Sequence, residues 1–114
     1  MKQTNRQTEP PIFPDPPEHL SERSKELWRT LGPGHARSLE RRTLFQAGLE
    51  ALDTADRARH LVETEGMIST TKTTGAVHVN PLTKIERESR AQFVRIWALL
   101  ALQWNYAVDS QKNT

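Results

Sequence analysis

The segment 80–104 most constrains the fold of this chain, because it opens with a helix-start signal and then contains no glycine or proline after Pro81. Asn80 is a favourable N-cap residue, and Pro81 suits the first helical position, where its missing N–H costs nothing. One long helix is therefore predicted. Residues 96–102 are all apolar, and a helix that is apolar on every side must be covered on every side. We expect a second subunit to cover it, through an interface of Ile96, Trp97, Leu99, Leu100, Leu102 and Trp104.

Helical patterns also fill the first half of the chain. A short helix is expected from the N-cap Ser21 to Leu31, with its end marked by Gly32-Pro33-Gly34. A second helix, or two joined helices, is predicted over 38–65 with Ser38 as its N-cap and Gly66 just beyond its end. Its apolar residues keep the helical period: Leu39, Leu44, Phe45, Leu49, Leu52, Ala55, Ala58, Leu61 and Val62. Two long helices in so short a chain suggest an antiparallel pair.

The length of 114 residues allows one domain at most. Five prolines between positions 10 and 17 favour a flexible, extended arm over residues 1–17, which is either disordered or docks Ile12 and Phe13 on a neighbour. Residues 18–104 then form a single helical domain, which includes the apolar segment expected to serve oligomerisation, and residues 105–114 form a flexible polar tail.

The expected fold class is mostly α. Between the two long antiparallel helices, residues 67–79 are rich in β-branched side chains around Gly75, which predicts a small β-hairpin or a loop insertion. With the short N-terminal helix, these elements complete the expected architecture.

No sequence pattern points to catalysis, so we expect no enzymatic activity, no cofactor and no metal. The chain has no cysteine and no glycine-rich phosphate loop. Its four histidines are not spaced as metal ligands: His19, His35, His60 and His78. The longest apolar run is far below the roughly 18 residues that a membrane-spanning helix needs. We therefore expect no membrane association, and the lack of cysteine fits a reducing cytoplasm.

Two clusters of basic residues favour nucleic acid as a partner. One lies at the start of the second helix and the other on the last helix, and together they give the candidate DNA-binding residues Arg37, Arg41, Arg42, Lys84, Arg87 and Arg90. Arginine suits phosphate because its guanidinium donates paired hydrogen bonds. The net charge is only +2, so ordinary ion pairs, such as Glu86 with Arg90, are the alternative interpretation.

Several short motifs follow one another in a fixed order over residues 16–104. They are Pro16-Pro17-Glu18-His19-Leu20-Ser21 with Glu26-Leu27-Trp28, the helix with Leu49 and Leu52 that ends at Glu65-Gly66, Val77-His78-Val79-Asn80-Pro81-Leu82, and Ile85-Glu86-Arg87-Glu88. Each motif is common, but their order resembles the small terminase subunits of tailed bacteriophages, in the family associated with cos-type packaging and often encoded beside an HNH nuclease. That family usually closes with Leu-Gly-Leu, a Thr/Ser-Pro step and an Arg. This chain instead has Leu100-Ala101-Leu102-Gln103-Trp104-Asn105.

The resemblance implies a non-catalytic, all-helical packaging protein that assembles as a homo-oligomeric ring of roughly eight to ten subunits. It implies that the ring recognises double-stranded viral DNA at the cos site and delivers it to the large terminase subunit, which carries the ATPase and nuclease. An HNH endonuclease is a further expected partner, and the host cytoplasm is the expected location.

Two other functions remain open from the sequence. A helix-turn-helix transcription regulator is one, because residues 21–50 contain a helix, a glycine-containing turn and a second helix. A non-catalytic structural ring or adaptor, such as a head–tail connector, is the other. Tight binding of a short operator by a dimer would favour the regulator, whereas no preference for any DNA would favour the adaptor.

Overall fold

The computed structural model describes residues 12–66, 68–70 and 77–102. In these residues the order is α1 (Glu22–His35), α2 (Leu39–Glu65), β1 (Ile68–Thr70), β2 (Val77–Val79) and α3 (Pro81–Leu99). The two short strands pair antiparallel, with Ile68 opposite Val79. The expectation of a mostly helical chain is confirmed. None of the described helices has the length and hydropathy needed to cross a membrane.

All three helices begin where the sequence predicts. The N-cap residues are Ser21, Ser38 and Asn80, and each side-chain oxygen accepts a hydrogen bond from a backbone N–H two or three residues further on. Each bond satisfies a donor that has no partner within its helix. Pro81 occupies the first helical position of α3, as expected.

The predicted end of α1 at Leu31 was wrong, because the helix runs on through Gly32, Pro33 and Gly34 to His35. The reason lies in a tertiary contact. Gly32 is buried beneath the ring of Phe13, and a Cβ at this position would overlap that ring. This glycine therefore permits a close contact with the segment before α1 and does not end the helix.

The two long helices α2 and α3 form the antiparallel pair. Phe45 near the start of α2 lies beside Trp97 near the end of α3, with ring centroids 6.0 Å apart. At the opposite end of the pair, the Asn80 amide donates to a carboxylate oxygen of Glu65 at 3.1 Å. The two helices therefore run in opposite directions along their whole length.

Gly48 does not interrupt α2, which is one helix of 27 residues. It lies in the interface with α3, where a Cβ would come within 2.9 Å of Ile96 Cγ2. The absence of a side chain at position 48 lets the two helix backbones approach closely, so this glycine serves packing.

The core lies where the three helices meet. Five aromatic rings form a continuous series through it: Phe13 to Trp28, Trp28 to Phe45, Phe45 to Trp97 and Trp97 to Phe93, with centroid separations of 5.4, 5.7, 6.0 and 4.7 Å. The buried apolar residues around these rings are Leu20, Ala36, Leu49, Ile96, Leu100 and Leu102. Because Phe13 packs in this core, the folded part begins before residue 18 and the predicted arm is shorter than residues 1–17.

The helix α3 ends at Leu99, five residues before the predicted end. Ala101 adopts a left-handed conformation with φ 59°. Its N–H donates to the Ala98 carbonyl, and the Leu102 N–H donates to the Trp97 carbonyl, both at 3.0 Å. This pair of bonds is the Schellman arrangement that closes helix C-termini, and glycine is the residue that usually occupies the left-handed position.

Candidate nucleic-acid interface

The three-residue connector 36–38 brings the first cluster of candidate DNA-binding residues together. Because the connector is so short, the first turn of α2 lies beside the C-terminus of α1. We call this region, residues 35–42, the α1–α2 corner. The sequence has no acidic residue between Glu26 and Glu40, so positive charge is in excess at this end of the molecule.

Arg41 binds the ends of two other helices. Its Nε donates to the carbonyl of His35 at the end of α1, and its Nη2 donates to the carbonyl of Leu100, just after α3, at 2.6 Å. Both carbonyls lack partners within their helices and lie at the negative ends of the helix dipoles. The half-buried guanidinium of Arg41 therefore holds α1 and α3 against α2.

Arg37 and Arg42 retain donors that the fold does not use. Arg37 is exposed and uses its Nε to bond the Pro33 carbonyl at 2.9 Å. Arg42 donates to the Arg37 carbonyl at 3.2 Å, and its guanidinium lies 5.9 Å from the centroid of the Phe13 ring. Each guanidinium has five N–H donors, and neither forms an ion pair within the described residues.

The second cluster, on α3, divides into two kinds of residue. Arg90 forms ion pairs with Asp56 at 3.4 Å and with Glu86 at 3.3 Å, so the alternative of an ordinary ion pair between Glu86 and Arg90 is confirmed. Lys84 and Arg87 are exposed, and no ion pair in the described part of the chain includes them.

The structure separates the two clusters. Lys84 lies near the start of α3 and therefore beside the C-terminal end of α2, whereas Arg42 lies in the first turns of α2. With a rise of about 1.5 Å per residue, the two clusters are on the order of 30 Å apart along α2. One turn of B-DNA is about 34 Å. A single chain could therefore contact one duplex through both clusters only at phosphates about one turn apart.

Asp53 fixes the orientation of α1 on α2. Its side chain accepts hydrogen bonds from the N–H and hydroxyl of Ser21, both at 2.7 Å, and from the hydroxyl of Ser24 at 2.6 Å. Burial raises the pKa of Asp53, but the hydrogen bonds from Ser21 and Ser24 outweigh it and hold the pKa below its ordinary value. Asp53 therefore stays ionised at neutral pH and sets the angle at which α1 reaches the α1–α2 corner.

Asp53 is not among the site residues predicted from the sequence, although the sequence carries one signal for it. The carboxylate falls on the apolar face of α2, next to Leu52 and four residues after Leu49, and it is only 4% exposed. A carboxylate on such a face must be hydrogen-bonded when it is buried. The two serines at the start of α1 are its partners.

The residues predicted for a subunit interface have different environments. Three of them are buried in the core of the same chain: Ile96, Leu100 and Leu102. The inference that they need a second subunit for cover was therefore wrong, because α1, α2 and the turn after α3 cover them. Trp97 is half-buried between Phe45 and Phe93, and Leu99 is 69% exposed. Trp104 lies outside the described residues.

A groove of about 390 Å³ opens beside the start of α1. Its two carboxylates are already engaged, because Asp53 binds the serines of α1 and Asp56 pairs with Arg23 and Arg90. Across the described segments, no three His, Asp or Glu side chains are grouped so that they could hold a metal ion. The groove is therefore not assigned a ligand.

Among known proteins, no protein family, no curated protein and no solved structure matches this chain. Its function is therefore inferred from the geometry of the α1–α2 corner and from the order of its sequence motifs.

Proposed function

We propose that this chain is a DNA-binding subunit of a viral genome-packaging complex, with the role of a small terminase subunit. It binds double-stranded DNA at the packaging site and delivers it to a large subunit that carries the ATPase and nuclease. The observation that carries the proposal is the α1–α2 corner, where Arg37 and Arg42 have donors to spare and Glu40 is the single acidic residue of the stretch 35–42. The order of motifs along residues 16–104 supports the packaging role.

The binding mechanism is phosphate contact by guanidinium groups. Arg37 and Arg42 would each donate to phosphate oxygens, and each contact would release counterions condensed on the DNA. Arg41, which holds the ends of α1 and α3, supports the corner without needing to touch the duplex. Two contacts and a net charge of +2 give one chain only weak affinity, and binding would depend strongly on salt.

Assembly of several copies strengthens this weak binding. Linked copies present the same corner repeatedly, so that each further contact with one duplex becomes intramolecular. The outer side of α3 has apolar residues to bury in such an assembly, because Leu99 is 69% and Val94 58% exposed. Replacing Leu99 by Glu would test this surface without disturbing the core, whereas the same change at Leu100, which is 1% exposed, would unfold the chain.

The experiment that tests the proposal compares two duplexes of equal length and composition, one with the viral packaging site and one with its sequence shuffled. The chain should bind the packaging duplex more tightly and should change the ATPase rate of the large subunit of the same virus. Equal affinity for both duplexes together with an unchanged ATPase rate would contradict the proposal and favour a structural adaptor.

A helix-turn-helix regulator is the second candidate function. One observation favours it: α1 and α2 are joined by only three residues, which is the length of connector that such readers use. However, α2 is 27 residues long and packs along its length against α3. A dimer that binds a short operator tightly and ignores the packaging site would select the regulator.

A further inference from the structure

We propose that the ring of Phe13 positions the guanidinium of Arg42 for contact with a phosphate group of the duplex. Phe13 would then belong to the proposed binding surface although it carries no charge. This inference rests on the proposed function, because it names a further residue of the same site. It depends on three features: the ring is fixed on α1, the guanidinium lies beside the ring, and most donors of that guanidinium stay free.

The ring of Phe13 is fixed by its contacts with α1. It packs against Trp28, with ring centroids 5.4 Å apart, and it lies so close to Gly32 that a Cβ at that position would overlap it. The indole N–H of Trp28 also donates to the carbonyl of Pro14, the next residue along the chain, at 2.8 Å. Both the ring and the backbone of this segment are therefore attached to α1.

The guanidinium of Arg42 lies 5.9 Å from the centroid of the Phe13 ring. A guanidinium at this distance is attracted by the electron-rich face of an aromatic ring. Its Nη1 also donates to the Arg37 carbonyl at 3.2 Å. The ring and the carbonyl together restrict the rotamers of this half-buried side chain, so it has less conformational freedom to lose when DNA binds.

This arrangement leaves most of the Arg42 donors available. A guanidinium has five N–H donors, and a contact with an aromatic face uses none of them. One donor bonds the Arg37 carbonyl, and no ion pair within the described residues includes Arg42. Arg37, by contrast, is exposed and is held by a hydrogen bond to the Pro33 carbonyl. Arg37 therefore provides a comparison in which phosphate contact does not depend on the ring.

The test is a double-mutant cycle, with affinity measured on a fluorescein-labelled duplex. Phe13→Leu removes the aromatic face but keeps most of the apolar volume, and it is made in three backgrounds: the wild type, Arg42→Gln and Arg37→Gln. Phe93→Leu is the matched control, because Phe93 is also half-buried and packs against Trp97 at the other end of the aromatic series. Circular dichroism verifies that each variant is folded at the temperature of the measurement.

Phe13→Leu should weaken binding roughly two- to fivefold in the wild type and in Arg37→Gln, as expected for the loss of a cation–π contact. It should have no effect in Arg42→Gln, and Phe93→Leu should leave the affinity of the wild type unchanged. If Phe13→Leu does not fold, Gly32→Ala replaces it, because this change keeps every charge but displaces the Phe13 ring. It should give the same dependence on Arg42.

An equal loss of affinity in all three backgrounds would mean that Phe13 acts on the fold as a whole and would overturn the inference. The absence of any loss, or an equal loss in Phe93→Leu, would overturn it as well. These results would leave the proposed function intact. If the wild-type chain bound no duplex, both the inference and the proposed function would fail.

Discussion

The backbone N–H and the hydroxyl of Ser21 donate to the two carboxylate oxygens of Asp53, each at 2.7 Å. The same hydroxyl accepts a hydrogen bond from the Ser24 N–H, so the N-cap of α1 is bonded directly to the middle of α2. Capping and tertiary packing therefore depend on one side chain. The angle between α1 and α2, and with it the geometry of the α1–α2 corner, follows from this contact.

Replacing Asp53 by Asn should lower the free energy of unfolding by about 2–3 kcal/mol. The amide nitrogen cannot accept a hydrogen bond, so at least one buried donor of Ser21 or Ser24 loses its acceptor. Urea unfolding followed by circular dichroism measures the change. The control is Asp56→Asn, because the Asp56 side chain is 40% exposed and its ion pairs should contribute about 1 kcal/mol or less. Equal losses in the two variants would contradict this account of Asp53.

Acid should destabilise the chain through two carboxylates. The pKa of Asp53 is lower in the folded chain than in the unfolded chain, where it is about 3.9. A hydrogen bond from Gln46, with a further one from His19, likewise lowers the pKa of Glu50. Such groups contribute fully above about pH 5, where both are ionised in the unfolded chain, and lose their contribution as the pH falls through the folded pKa. Thermal unfolding should show a steeper loss of stability below about pH 4 in the wild type than in Asp53→Asn. Parallel pH profiles of the wild type and Asp53→Asn would contradict the lowered pKa of Asp53 in the folded chain.

Arg41→Gln should destabilise the fold by about 2 kcal/mol, because two helix C-termini lose a charged donor. Arg37→Gln is the matched control. Arg37 is exposed, so its replacement should change the free energy of unfolding by no more than about 0.5 kcal/mol. Chemical denaturation of both variants distinguishes them, and equal stability would mean that Arg41 does not hold the ends of α1 and α3.

Ala101→Gly should raise the free energy of unfolding by about 1 kcal/mol. Ala101 has a φ of 59°, which costs a residue with a Cβ about 1–2 kcal/mol, whereas glycine adopts it freely. Ala98→Gly, within α3, should instead lower stability by about 1 kcal/mol. Thermal unfolding of both variants provides the comparison, and a loss of stability in Ala101→Gly would argue against the left-handed turn.

The turn after α3 returns Leu102 to the core through Ala101. Because Ala101 has a Cβ and a positive φ, the turn forms at some cost.

Helix starts could be predicted from sequence because their signals are local. The side-chain oxygens of Ser21, Ser38 and Asn80 each accept a hydrogen bond from a backbone N–H only two or three residues further along the chain. The end of α2 at Glu65 was also predicted, from Gly66, but the ends of α1 and α3 could not be predicted in the same way. Gly32 lies inside α1 because a ring from another segment needs the space, and Ala101 ends α3 despite its Cβ. Both outcomes depend on tertiary contacts that composition does not reveal.

The roles of the candidate site residues likewise could not be predicted from the sequence alone. Residue type identified the arginines, but their roles depend on partners far away in sequence. Arg41 bonds a carbonyl 59 residues away, and Arg90 pairs with Asp56 on another helix. For the same reason, the apolar run 96–102 did not reveal that the chain itself covers Ile96 and Leu100.

Salt-dependent binding of duplex DNA by the wild type and by Arg37→Gln with Arg42→Gln tests the central claim most directly. We expect the wild type to bind with an affinity that falls steeply with salt. The slope of log K against log salt should be lower by about 1.8 in the variant, as expected for two lost phosphate contacts. Circular dichroism would verify that the variant remains folded. An unchanged affinity and slope in the folded variant would contradict the assignment of the α1–α2 corner as the DNA-binding surface.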